Sequence, residues 1–139
     1  MINLYSSLKE NISALKELFA NSADLTVREM NLNSSDNKKA AIVTIEGMCS
    51  KDTVAISIIE PLLDYKFAQS DSDSMIDEIQ KSVLTSSEIV KFNTLEETVM
   101  FATSGFALIL LDGTKQMLAI GSQGFSFRSV TEPESEVVQ

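Results

Sequence analysis

The stretch "FALILLDGTKQMLAIG", residues 106–121, decides how the rest of the chain has to be arranged. Residues 106–111 are apolar without a break. A strand with one wet face alternates apolar and polar side chains, so an unbroken apolar run reads as a central strand covered on both faces. Asp112–Gly113 follows, the strongest hairpin signal in the chain, because both residue types tolerate left-handed backbone. "QMLAIG" (116–121) then returns beside the first strand.

Working outward, Thr94 and Glu97 have the spacing of a capping box. Leu95, Val99 and Ala102 line the helix they open, and Gly105 stands where a left-handed cap is expected. "EIVKF" (88–92) is a short strand before it. Ser74 with Asp77 resembles another capping box, and Ile76, Ile79 and Val83 give its helix an apolar stripe. Ser50 opens a helix, "KDTVAISIIE" (51–60), with Val54, Ile58 and Ile59 inward. Pro61 lacks the helical N–H and its ring clashes one turn back, so "LLDYKFA" (62–68) is expected at a new angle. "AAIVTIEG" (40–47) reads as a buried strand ended by Gly47. In "DLTVREMNL" (24–32), Leu25 and Val27 alternate and the phase then slips to Met30 and Leu32. That slip predicts a strand with a bulge or bend near Arg28–Glu29, paired with 40–47 across the polar loop 33–39. Leu4, Leu8, Ile12, Leu15 and Phe19 mark an amphipathic first helix, and "SFRSV" (126–130) reads as one more edge strand. The order α, β, β, α, α, β, α, β, β predicts an α/β fold, with mixed α+β left open. The expected architecture is a layered mixed sheet of about five to six strands with flanking helices.

The totals fit one subdomain spanning residues 1–139. A chain of this length buries about two-thirds of its unfolded surface and needs no metal or disulfide to fold. Net charge is −9, which disfavours nucleic acid and anionic membrane surfaces as partners. There is no histidine, which removes the commonest general acid–base and metal ligand, and a lone cysteine, Cys49, which rules out an internal disulfide. No apolar run approaches the roughly 20 residues of a membrane-spanning helix. "MINLYSSLKEN" lacks the basic start and apolar stretch of a signal peptide.

Catalytic and metal patterns are weak. Asp71, Asp73 and Asp77 trace an EF-hand loop, but Met75 and Ile76 stand where the next oxygen ligand and the obligatory glycine belong. Their plainer reading is acidic residues at a helix start. "GSQGF" (121–125) meets neither phosphate-loop pattern and reads as a turn. Cys49 precedes a helix but has no histidine base, so it reads as a structural thiol. Glu96 and Glu97 read as solvated helix charges. No catalytic residue, cofactor or metal is expected.

The last residues differ in character. Arg128 precedes Glu132 by four residues and Glu136 by eight, and Pro133 pushes Glu132 toward extended backbone. An arginine fork between carboxylates can fix a turn, so Arg128, Glu132, Pro133 and Glu136 are candidate binding residues within an extended tail, 128–139. The alternative is an exposed, weakly paired tail. "RSVTEPESEVVQ" (128–139) resembles the segment closing the first part of the soluble N-terminal region of GerA-type spore germinant receptor A subunits. Arg128, Ser129, Val130, Glu132, Pro133, Ser135 and Glu136 match it, and "SALKELFANSADLTVREM" (13–30), "IEPLLDY" (59–65) and "GFALILLDG" (105–113) extend the likeness upstream.

The resemblance implies a fragment of a larger membrane protein of the spore inner membrane, with this domain on the cytoplasmic, spore-core side. It implies a non-enzymatic signalling and assembly module with B and C subunits and other A subunits as partners, and with the tail as joint to a second subdomain. A domain that itself binds a small nutrient germinant is the alternative, with loops near Gly47–Lys51 and Gln123–Phe125 as candidates. An unrelated enzyme fragment is the third.

Overall fold

The computed structural model of the chain describes residues 2–121. The elements are α1 Leu8–Leu18, β1 Leu25–Asn31, β2 Lys39–Ile45, α2 Lys51–Val54, α3 Glu60–Asp64, α4 Ser72–Glu78, β3 Ile89–Phe92, α5 Leu95–Thr103, β4 Ala107–Leu111 and β5 Met117–Ile120. The expected order holds throughout the described residues. The sheet runs β1-β2-β4-β5-β3, and each of these pairings is antiparallel. The expected sixth strand, 126–130, lies outside the described residues.

β4 is buried along its whole length. Leu108 and Leu110 join Ala41, Val43, Met117 and Ala119 under α1 and α5. Ala107, Ile109 and Leu111 join Ala40, Ile42, Leu118 and Ile120 under the helices of residues 51–64 and 72–83. The molecule is therefore a three-layer sandwich, with one apolar core on each side of the sheet.

The two helices on the second face share an uncommon feature. A π-helical turn, Ala55–Ile59, joins α2 to α3, and another, Ile79–Val83, extends α4. Their apolar stripes explain it. Val54, Ile58 and Leu62 recur every four residues, as do Met75, Ile79 and Val83, and all six are buried. In a straight α-helix a four-residue stripe drifts about 40° per step. A wider i→i+5 turn takes back part of that rotation. The same turn lets the helix run on past Pro61, as the expected further turn: the Glu60 N–H bonds back to Ala55 O, and α3 continues to Asp64.

Two further expectations change. β1 has no bulge: its register with β2 is unbroken from Leu25↔Ile45 to Asn31↔Lys39. Leu25 and Val27 pack against the core under α1, while Met30 packs into the opposite core. The strand changes which face it buries, and the backbone never slips. α4 is capped by Asp71, whose carboxylate accepts the Ser74 N–H at 3.1 Å, so Ser74 lies inside the helix. The Asp112–Gly113 hairpin forms as expected, through a five-residue connection, 112–116, between antiparallel β4 and β5. The Thr94–Glu97 cap forms as expected: the Glu97 N–H donates to Thr94 Oγ1 at 3.1 Å, and that hydroxyl donates to Glu97 Oε1 at 2.9 Å.

The 112–116 connection ties the layers together. Asp112 Oδ1 accepts the Leu8 N–H at the start of α1 (2.8 Å), and the Asp112 carbonyl accepts the Ser72 hydroxyl at the start of α4 (2.6 Å). The Gly113 N–H donates to Ser6 O at 2.7 Å. Gly113 has φ +92°, and a Cβ there would lie 2.5 Å from Ser72 Oγ.

Gly113→Ala is expected to cost about 1–3 kcal/mol through backbone strain and the clash with Ser72. It would be read as a lower urea midpoint at unchanged slope; an unchanged midpoint would show that the connection is not under this constraint. Thr94→Ala should cost about 1 kcal/mol, and Thr94→Ser should retain most of the stability because it keeps the capping oxygen.

Candidate functional site

The structure separates most of the sequence-derived candidates. Arg128, Glu132, Pro133 and Glu136 lie outside the described residues, as do Gln123–Phe125. Asp71 caps α4, Asp73 accepts the Thr114 hydroxyl, and Asp77 pairs with Lys91. The Lys91 ammonium holds the Asp77 carboxyl below its ordinary pKa. No group of three or more metal-ligating acidic or cysteine side chains forms among the described residues. Glu96 accepts the Ile2 N–H at 3.1 Å, a fastening of the N-terminal segment. Cys49 is half-buried, its Sγ lies 3.0 Å from Gly105 O, and burial pushes the thiol pKa up. A raised pKa leaves less thiolate, so the structural reading of this cysteine fits its surroundings.

The other expected loop, Gly47–Lys51, borders a cavity. Gly47, Cys49 and Lys51 line a cavity of about 350 Å³ between the outer half of the sheet and the start of the 51–64 helix. Its floor is the edge of the second core: Ile42 from β2, Val54 from α2, and Ala55 and Ile59 from the two ends of the first π turn. Its wall is polar. On the face of β1 that carries Met30 into the core, the two preceding inner positions are Arg28 and Thr26; on β2, Thr44 follows Ile42. Two strands that are apolar at one end thus turn polar at the other, beside the start of the 51–64 helix.

Two cations stand at this wall. Lys51 Nζ lies 3.4 Å from Glu46 Oε2, an exposed pair of little energetic weight. Arg28 has no carboxylate within ion-pair distance among the described residues. A cavity of this size with an apolar floor and a few converging polar groups has the makeup of a small-molecule site. Sequence reasoning marked the loop but missed Arg28, Thr26 and Thr44. The signal was present as a period of two through Thr26, Arg28 and Met30, and the expectation of a bulge concealed it.

Comparison with known proteins gives the site its setting. The family model of the Bacillus/Clostridium GerA spore germination protein matches residues 13–139. The chain is similar to spore germination protein KA of Bacillus subtilis (strain 168), 28% identical over 131 residues, which are 94% of this chain and 24% of that protein. It is also 28% identical over 134 residues to spore germination protein B1 of the same organism, covering 96% of this chain and 27% of that protein. The fold is similar to the crystal structure of the N-terminal domain of the A subunit of the Bacillus megaterium spore germinant receptor GerK3. That match has a TM-score of 0.69 at 22% identity and covers 88% of this chain and 49% of that one. The chain spans about a quarter of the length of the curated relatives it matches. With the family model covering all but the first twelve residues, the chain belongs to the GerA family of spore germination proteins.

Proposed function

We propose that this chain is the first soluble module of a spore germinant receptor A subunit, acting in nutrient-triggered germination signalling and in receptor assembly. The observation that carries the reading is the unbroken family match from residue 13 to 139, which takes in both the three-layer domain and its tail. The full-length protein would sit in the spore inner membrane with this domain on the spore-core side. B and C subunits and further A subunits would be its partners. A net charge of −9 fits contact with proteins better than with nucleic acid.

The role needs no bond-making chemistry. A module of this kind acts by making different contacts in the resting and triggered states of the assembly, and it shifts the balance by the difference. In this reading Arg128, Glu132, Pro133 and Glu136 form the joint to the rest of the A subunit. A proline disfavours helical backbone at the residue before it, and an arginine fork can bond two carboxylates, which is the chemistry such a joint would use. A second reading, in which this domain itself takes up a small nutrient, is favoured by the cavity beside Arg28.

Spores carrying Arg128→Ala in the full-length receptor should germinate more slowly at unchanged receptor level. Loss of a charge-assisted pair worth about 1.5–3 kcal/mol corresponds to roughly tenfold or more if the joint carries the signal. Wild-type germination kinetics with normal receptor abundance would remove the joint from the mechanism.

A further inference from the structure

We propose that the cavity between β1, β2 and the first π turn binds a small monocarboxylate with an aliphatic body, held by its carboxylate on Arg28. The inference deepens the small-molecule reading above and rests on it, but not on the receptor role.

The inner face of the outer strands carries the argument. Every second residue of β1 and β2 faces the helices of the second layer, and at one end these positions are Met30, Ala40 and Ile42, all in the core. At the other end they are Arg28, Thr26 and Thr44. Arg28 is exposed at the wall of this cavity, so its guanidinium is open to an incoming carboxylate. Among the described residues no carboxylate lies within ion-pair distance of it, and the nearby Glu46 is paired with Lys51. The ligand's carboxylate would supply that partner.

The space defines its other half. Val54, Ile42 and Ile59 are buried and present only hydrocarbon to the cavity, so the ligand's body is aliphatic. The volume of about 350 Å³ lies near the lower end for ligand sites, which limits the ligand to a small molecule. Arg28 offers the fork that a carboxylate accepts two bonds from. The threonine hydroxyls of Thr26 and Thr44 can each donate one more. The π turn bears on the same point, since such turns are frequent at functional sites and Ala55, a small residue, leaves the floor open.

The test uses the whole 139-residue chain and two probes of equal shape, 4-methylvalerate and its neutral amide, 4-methylvaleramide. Amide resonances of the chain are followed by NMR as each probe is added. The carboxylate should saturate and shift Thr26, Thr44 and Gly47, and the amide should bind about tenfold more weakly or less. Arg28→Gln should weaken the carboxylate by about tenfold and leave the amide unchanged. Ala55→Leu should fill the floor and abolish both.

No saturable response up to about 10 mM carboxylate, weaker than any affinity such a site would be expected to show, would overturn the proposal. So would equal binding of acid and amide, or wild-type affinity in Arg28→Gln. If Ala55→Leu fails to fold, Arg28→Gln still decides, because Arg28 is exposed and its replacement leaves the core intact. Binding is read on the isolated chain and germination in the spore, so failure of this site and failure of the receptor role are distinguished.

Discussion

β4 has no side that meets water, and the rest of the molecule follows from that. A strand buried on both faces needs neighbours to satisfy its backbone and a layer of helices above and below to cover its side chains. β2 and β5 supply the first requirement. α1 and α5 supply the second on one side, and the helices of residues 51–64 and 72–83 supply it on the other. The connection leaving β4 then binds the starts of α1 and α4, which belong to opposite layers, through Asp112 and Ser72. Five consecutive apolar residues and the short polar connection after them thus organise both cores.

The fold was legible where local chemistry and burial agreed. The continuous run at 106–111, the Thr94–Glu97 cap and the left-handed Gly105 each carry their own physical signature, and each is found as expected. The sequence was harder to read where one residue type serves two purposes. Ser74 has the spacing of a cap for Asp77, but Asp71, three residues earlier, caps the helix first and takes the N–H of Ser74 itself. Met30 and Leu32 look out of phase with Leu25 and Val27 because β1 lies at the sheet edge, where the two layers cover different ends of the strand. Asn11 gave no signal at all. It sits among the apolar positions of α1, fully buried, and its side chain both donates to and accepts from the backbone of Tyr5, clamping the N-terminal segment.

The site shows the same division. The Gly47–Lys51 loop could be marked from sequence because it joins a buried strand to a capped helix. The cavity behind it could not, since it depends on how far a helix extends over a sheet, a tertiary quantity. Arg28 reads as an ordinary surface charge until its strand's inner face is known. The metal-like spacing of Asp71, Asp73 and Asp77 dissolves for a complementary reason: each carboxylate is engaged by a different neighbour, so spacing alone brought nothing together.

The four-residue stripes of the second layer have a consequence for how such a domain can vary. Each stripe stays aimed at the sheet because a wide turn offsets the natural drift of the helix. Adding or deleting one residue within 51–64 would turn everything beyond it by about 100° and carry Leu62 from the core toward solvent. The connections before and after these helices carry no such phase. Changes in chain length among related domains should therefore collect at 65–71 and 84–88, while the helices keep their residue count even as the side chains on them diverge.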